Sequence, residues 1–375
     1  VTLEPSPRSL RGLPTVLVTG VDEVATAGAT MALAWDLPDA VVVRHHIDVE
    51  TQQLHRTVSD LTGVLEREVI DLEHLCVSCA IREDVLPTLR RLAGLGRWGA
   101  IVANLPLSAS ADHLCRVLHL ERETDVRIAA VVAALDGESL VDSLTGDVLL
   151  GEVGLHTSPE DHRGLAETTG ALVAYADVLM VGDAADPDGV ELLRALVRPG
   201  AQLLVDGAVP DARGLLLGVH DDTRSRAWTA ETRTLPCPEL DARAAAAVWR
   251  LDLRSARPFH PERLHERLEE IGAGAHRSRG CFWLPTRRGQ ICAWDGAGGQ
   301  VSIGTLGPWG RSGAHTRLVV TGLRSLTSEA QIAAIRAAFE ACLLTDAEMA
   351  APPHHWSCVQ DGFEPWLGDV RSSAA

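Results

Sequence analysis

The sequence predicts a doubly wound α/β domain with a mainly parallel sheet, followed by a smaller α+β domain. Three observations carry this reading. Six short apolar runs alternate with helical patterns in the first part of the chain, as expected of strands buried on both faces. All 4 Phe and seven of the 9 Trp lie from Trp228 onward, so the two parts build chemically different cores. At roughly 100 to 200 residues per domain, a chain of 375 residues holds about two.

In order, the runs are Thr15–Thr19, Ala40–Val43, Ala100–Ala103, Ile128–Val132, Val178–Val181 and Gln202–Val205, bounded by Gly, Asp or Pro. Between them Val85, Leu86, Leu89 and Leu92 share one helical face, as do Val190, Leu193 and Val197. These elements assign residues 1–219 to the α/β domain. Residues 220–243, with "HDDTRSRA" and "LPCPELDAR", are polar and Pro-containing and predict a linker. Within 244–349, Pro261 opens a helix through Leu264 and Leu268, which Gly272 ends. Ser328 to Gln331 has capping-box spacing and starts a helix with Ile332, Ile335, Ala338, Phe339 and Cys342 inward. The acidic, aromatic tail 350–375 is expected to be extended.

Composition narrows the function. A formal net charge of −17 opposes binding to a nucleic-acid backbone, favours a basic protein partner over naked RNA, and argues against direct DNA binding. All 34 basic residues are arginine, which excludes any mechanism resting on lysine. The chain has no run of 18 or more apolar residues and no basic-then-apolar start, which predicts a cytoplasmic protein without membrane contact. Eight cysteines with one close pair are not a disulfide framework.

That close pair lies in "HLCVSCAIRED", where Cys76 and Cys79 precede a helical pattern. Thiolates at this spacing can share one tetrahedral Zn2+, with Glu73, His74 and the His45–His46 pair as local candidates for further ligands. Equally, Cys76 can be a small buried hydrophobe and Cys79 a helix-start residue. Asp136, closing an apolar run, either orients a switch loop or, as the simpler reading, caps the next helix. No nucleophile–base pair stands out, so no catalytic residue is assigned. Phe363 and Trp366, among acidic neighbours, either anchor a basic partner or pack back onto their own domain.

"RPFHPERLHERLEEI", "RSRGCFWLPTR", "GTLGPW" and "ACLLTDAEM", in this order, resemble the C-terminal domain of CobW-type proteins, a family of metallochaperone P-loop GTPases. The resemblance implies a P-loop NTPase-like first domain. In the family's Cys-x-Cys-Cys metal motif, Cys76 and Cys79 match the outer pair and Ser78 replaces the middle thiol. The family's phosphate loop corresponds to Gly20 through Thr30, with Gly20, Gly28 and Thr30 as its surviving residues. Asp22 and Glu23 place negative charge there, and the loop's lysine is absent. The guanine-reading Asn-Lys-x-Asp is replaced by Gly182-Asp183-Ala184-Ala185. GTP hydrolysis is therefore not expected, unless Arg44 or Arg82 stands in for the lysine. Within the family, "CVSC", "DVRIAAVVAALD" and "LLTDAEM" resemble a branch of actinobacterial GTPases that recruit a ribosome hibernation promoting factor to the small ribosomal subunit under zinc limitation. The alternative that the resemblance implies is a zinc-binding metallochaperone with residual GTP binding.

Overall fold

The computed structural model describes residues 12–370, except 72–75, 122–124, 157, 159–160, 235, 311–312 and 357–359. Two units separate: one running to Thr229, and one from Ala230 onward that also takes in Leu144–Asp147.

The first unit is built on an eight-stranded sheet: β1 (Leu13–Gly20), β2 (Ala40–Asp48), β3 (Gln53–Asp60), β4 (Gly63–Asp71), β5 (Ala100–Asn104), β6 (Val126–Leu135), β7 (Val178–Val181) and β8 (Gln202–Leu204). Their order is β4-β3-β2-β5-β1-β6-β7-β8. The six apolar runs all form strands, paired in parallel from β2 to β8. β1 lies at the centre, with Val16, Leu17 and Val18 fully buried between helices on the two faces.

The hairpin β3–β4, antiparallel on the β2 edge, goes beyond the sequence expectation. Its residues give little hydrophobic signal, because β4 is largely exposed and β3 turns Leu54, Arg56 and Val58 inward. Charge pairing replaces apolar contrast here: Arg56 sits opposite Glu68 across the ladder and bonds it at 2.5 Å.

The expected linker 220–243 is a correction. Asp222–Thr229 is a helix of the first unit. The His220 Nδ1 and Asp177 Oδ2 lie 2.9 Å apart, and the Tyr175 hydroxyl donates to Asp222 at 2.8 Å. Asp177 also accepts from Arg198 and from the Val131 amide, so its carboxylate is saturated. The polar composition that suggested solvent is used in internal bonds. Residues beyond Ala230 belong to the second unit, where Glu231 accepts from Arg279 and the Arg233 carbonyl from Arg317.

The second unit carries an antiparallel sheet of β9 (Val248–Ser255), β10 (His276–Phe282), β11 (Gln290–Ala297), β12 (Gln300–Pro308) and β13 (Thr316–Leu323), in the order β12-β11-β10-β13-β9. Helices Pro261–Glu266, Leu268–Gly272 and Glu329–Cys342 accompany it. Ser328 and Gln331 form the expected capping box, and Ile332, Ile335, Ala338, Phe339 and Cys342 are all buried. Trp249, Phe259, Phe282 and Trp294 fill the core, which is the aromatic division that the sequence showed. Among the described residues no helix is long and apolar enough to cross a membrane.

The tail is not extended. Asp361 receives Arg287 at 2.9 Å through both Nε and Nη2, and Thr286 at 2.6 Å. This clamp seats Phe363 in the core with no exposed surface, against Phe282 and His265. Of the two expected anchors, only Trp366 reaches solvent, at 40% exposure.

Candidate functional site

The carboxyl ends of the parallel strands define a crevice, the usual ligand position in an open α/β sheet. It is a cleft of about 450 Å³ lined by Asp22, Gly28, Asp136, Glu138, Asp183 and Gly207, among others. β1 ends at Gly20, and a helix starts at Glu23. Only Val21 and Asp22 separate them, so the backbone forms a tight turn rather than a loop wide enough to wrap a phosphate. A Cβ on Gly20 would stand 2.5 Å from the Ala134 carbonyl oxygen, which shows how closely this turn abuts β6.

Asp22 caps the helix, its Oδ1 accepting the Ala25 amide at 2.7 Å. The Ala25 amide, one of the backbone donors that an incoming anion would use, is already satisfied by a carboxylate. Gly28 and Thr30, expected in a phosphate loop, lie within the helix Glu23–Asp36. Gly28 borders the cleft with open space around it, whereas Thr30 is buried and donates to the Thr26 carbonyl at 2.7 Å. The four acids Asp22, Asp136, Glu138 and Asp183 line the cleft, and among the described residues no basic one does. Arg44 is paired with Glu23, and Arg82 with Glu83, so neither substitutes for a phosphate-binding lysine. This set of groups does not fit a triphosphate. Asp136 acts as a cap, accepting from the Ser139 amide at 2.8 Å and from its hydroxyl at 2.6 Å.

The thiols occupy a second location. Cys76 is the N-cap of Val77–Ala80, and its Sγ accepts the Cys79 amide at 3.1 Å. The bond to Cys76, with burial adding, pushes the Cys79 thiol up to about 11. Any metal bound there displaces a proton. Glu73 and His74 lie outside the described residues. The His45–His46 pair splits as an extended backbone requires: His45 points into the core and His46 outward, near His55. His45 Nε2 is 2.9 Å from Asp84 Oδ2, and Asp84 also holds Arg56. Burial keeps His45 below the usual histidine range, with the Arg56 charge opposing protonation despite Asp84. His45 is thus committed to a buried ion network. Among the described residues, no third His, Cys, Asp or Glu groups with Cys76 and Cys79 closely enough for one ion.

Residues 248–343 match the cobalamin synthesis protein cobW C-terminal domain. The chain is 28% identical to the zinc chaperone Rv0106 of Mycobacterium tuberculosis, over 95% of this chain and 94% of the relative. It is 22% identical to the zinc-regulated GTPase metalloprotein activator 1 of Dictyostelium discoideum, over 64% of this chain and 54% of the relative. The solved structure of zinc-bound YjiA GTPase from E. coli is similar at 16% identity with a TM-score of 0.35, covering 89% of this chain and 100% of that one. A superposition this loose does not bear on the site. Residues 248–343, following the doubly wound α/β unit, thus match the cobW C-terminal domain, and most of the chain is similar to a named zinc chaperone.

Proposed function

We propose that the protein is a zinc-handling chaperone of the CobW type that works without nucleotide hydrolysis. The observation that carries this is the thiol pair: Cys76 and Cys79 share the first turn of a helix, positioned by a sulfur–amide bond. The names of the relatives support zinc as cargo. The two-residue turn after β1 and the acidic cleft support the absence of hydrolysis. Two thiolates leave positions open on a tetrahedral ion, which suits a metal that is passed on rather than locked in place. Equilibrium dialysis of zinc against the parent and the Cys76→Ala, Cys79→Ala double variant tests this. The parent is expected to bind one more equivalent than the variant; equal stoichiometry removes the thiols from the site.

A second reading, recruitment of a basic hibernation promoting factor to the small ribosomal subunit, is favoured by the net charge of −17 and by solvent-facing Trp366. Its check is co-sedimentation of that factor with small subunits; occupancy unchanged when this protein is omitted rejects it.

A further inference from the structure

Away from the thiol pair, one ligand atom from each of Cys115, His220 and Asp222 lies within 4.8 Å of the other two. Cys115 comes from the buried face of the helix Ala111–Leu120, Asp222 from the first turn of Asp222–Thr229, and His220 from the segment just before it. His220 is held as metal-binding imidazoles are held, with one ring nitrogen against a carboxylate. Its Nδ1 meets Asp177 at 2.9 Å, and Asp177 is fixed by Arg198 and the Val131 amide. The other nitrogen, Nε2, is buried, on a side chain only 5% exposed, and interacts with the Cys115 thiol. Asp222 is likewise poised. The Tyr175 hydroxyl and Arg226 Nε both bond its Oδ1, at 2.8 Å each.

We propose that Cys115, His220 and Asp222 form a second zinc site, distinct from the Cys76–Cys79 pair. The donor set is one soft thiolate, one imidazole and one carboxylate, which suits Zn2+ over Mg2+ or Ca2+. Two anionic ligands and one neutral ligand cancel the charge of the ion, so the buried site is balanced. In a tetrahedral zinc site, sulfur and nitrogen ligands stand roughly 3.5 Å apart, so the three side chains close in by about 1 Å. The metal takes the place of a proton on Nε2 and of the thiol proton of Cys115, and both leave to solvent. Asp222, with 26% of its side chain exposed, is the face through which the ion enters. A fourth position is left to water or to the Tyr175 oxygen.

The test uses the full chain carrying Cys76→Ala and Cys79→Ala. The metal-free protein is titrated with Zn2+ against a chromophoric chelator, and with Co2+ by absorbance. One equivalent is expected to bind, and the cobalt form is expected to show four-coordinate visible bands with a charge-transfer band from one thiolate. Adding Asp222→Asn, which keeps the oxygen that Tyr175 and Arg226 hold, weakens affinity by about 100-fold or more. Cys115→Ala abolishes the charge-transfer band. No binding by the double variant, or binding untouched by both further substitutions, overturns the proposal. The outcome is separable from the thiol-pair reading. A parent that binds one zinc and loses it with Cys76 and Cys79 supports that reading alone; a parent whose single zinc survives their loss supports this site alone.

Discussion

His45 and His220 are both buried, both bonded to an aspartate that also holds an arginine, and yet their proton affinities shift in opposite directions. Burial keeps His45 below the ordinary histidine range, and Arg56 adds to the effect. At His220 burial pushes the same way, but the bond to Asp177 and the neighbouring Cys115 thiol overcome it and raise the group to about 10. The aspartate is common to both, so it cannot explain the difference. What differs is the further neighbour: Arg56 opposes protonation of His45, whereas Cys115 favours it at His220. A buried His–Asp pair is therefore not by itself an ion pair; the third neighbour decides.

The largest expected effect separates the two aspartates. Asp177→Asn strands Arg198 beside His220 and should cost about 3–5 kcal/mol, the range for breaking a buried charge pair. Asp84→Asn should cost about half as much, because Arg56 retains Glu68 at 2.5 Å. Urea unfolding of the two variants makes the comparison, and equal losses would show that the partly exposed Glu68 does not compensate.

A middle-sized effect appears in the pH dependence. The native protein binds His220's proton more tightly than the unfolded chain, so that stabilisation is complete below about pH 6.5 and is lost as pH rises through about 10. His45 has the reverse sign. Its folded form binds the proton less tightly, so its contribution is present above about pH 6.5 and is lost as pH falls below it. Unfolding midpoints measured across this range should decline on both sides, and His45→Gln should flatten only the acid side. An acid limb that persists unchanged in that variant would break the contrast.

The smallest effect comes from moving to a carboxylate in partial contact with solvent. Asp22→Ala removes a single helix cap and should cost about 1 kcal/mol. Calorimetry with GTP at millimolar concentration should still show no heat. Nucleotide binding gained on this substitution would mean that charge, rather than the missing loop, closes the cleft.

How much of this the sequence disclosed depends on what carries each element. The six parallel strands were legible because burial on both faces leaves an unbroken apolar run, and the Glu329–Cys342 helix because its cap and its inward face are both local patterns. The β3–β4 hairpin was not, since its pairing rests on charges such as Arg56 and Glu68 that read as surface. The same confusion turned 220–229 into a linker. At the site, the helix start after Cys76 was visible in the spacing, whereas Gly28 and Thr30 were misplaced by aligning them to a loop that two residues cannot form. Asp22 before the helical pattern was the available signal. The Cys115, His220 and Asp222 grouping had none, as Cys115 is more than a hundred positions from the other two and only the fold brings it to them.

The bonds from Tyr175 and Asp177 to the segment after β8 place the working edge of the first unit at Thr229. A chain ended at residue 219 would remove the imidazole that closes over Asp177 and the carboxylate that receives the Tyr175 hydroxyl. Fraying would then begin beside β6 and β7, just inside the β8 rim of the sheet.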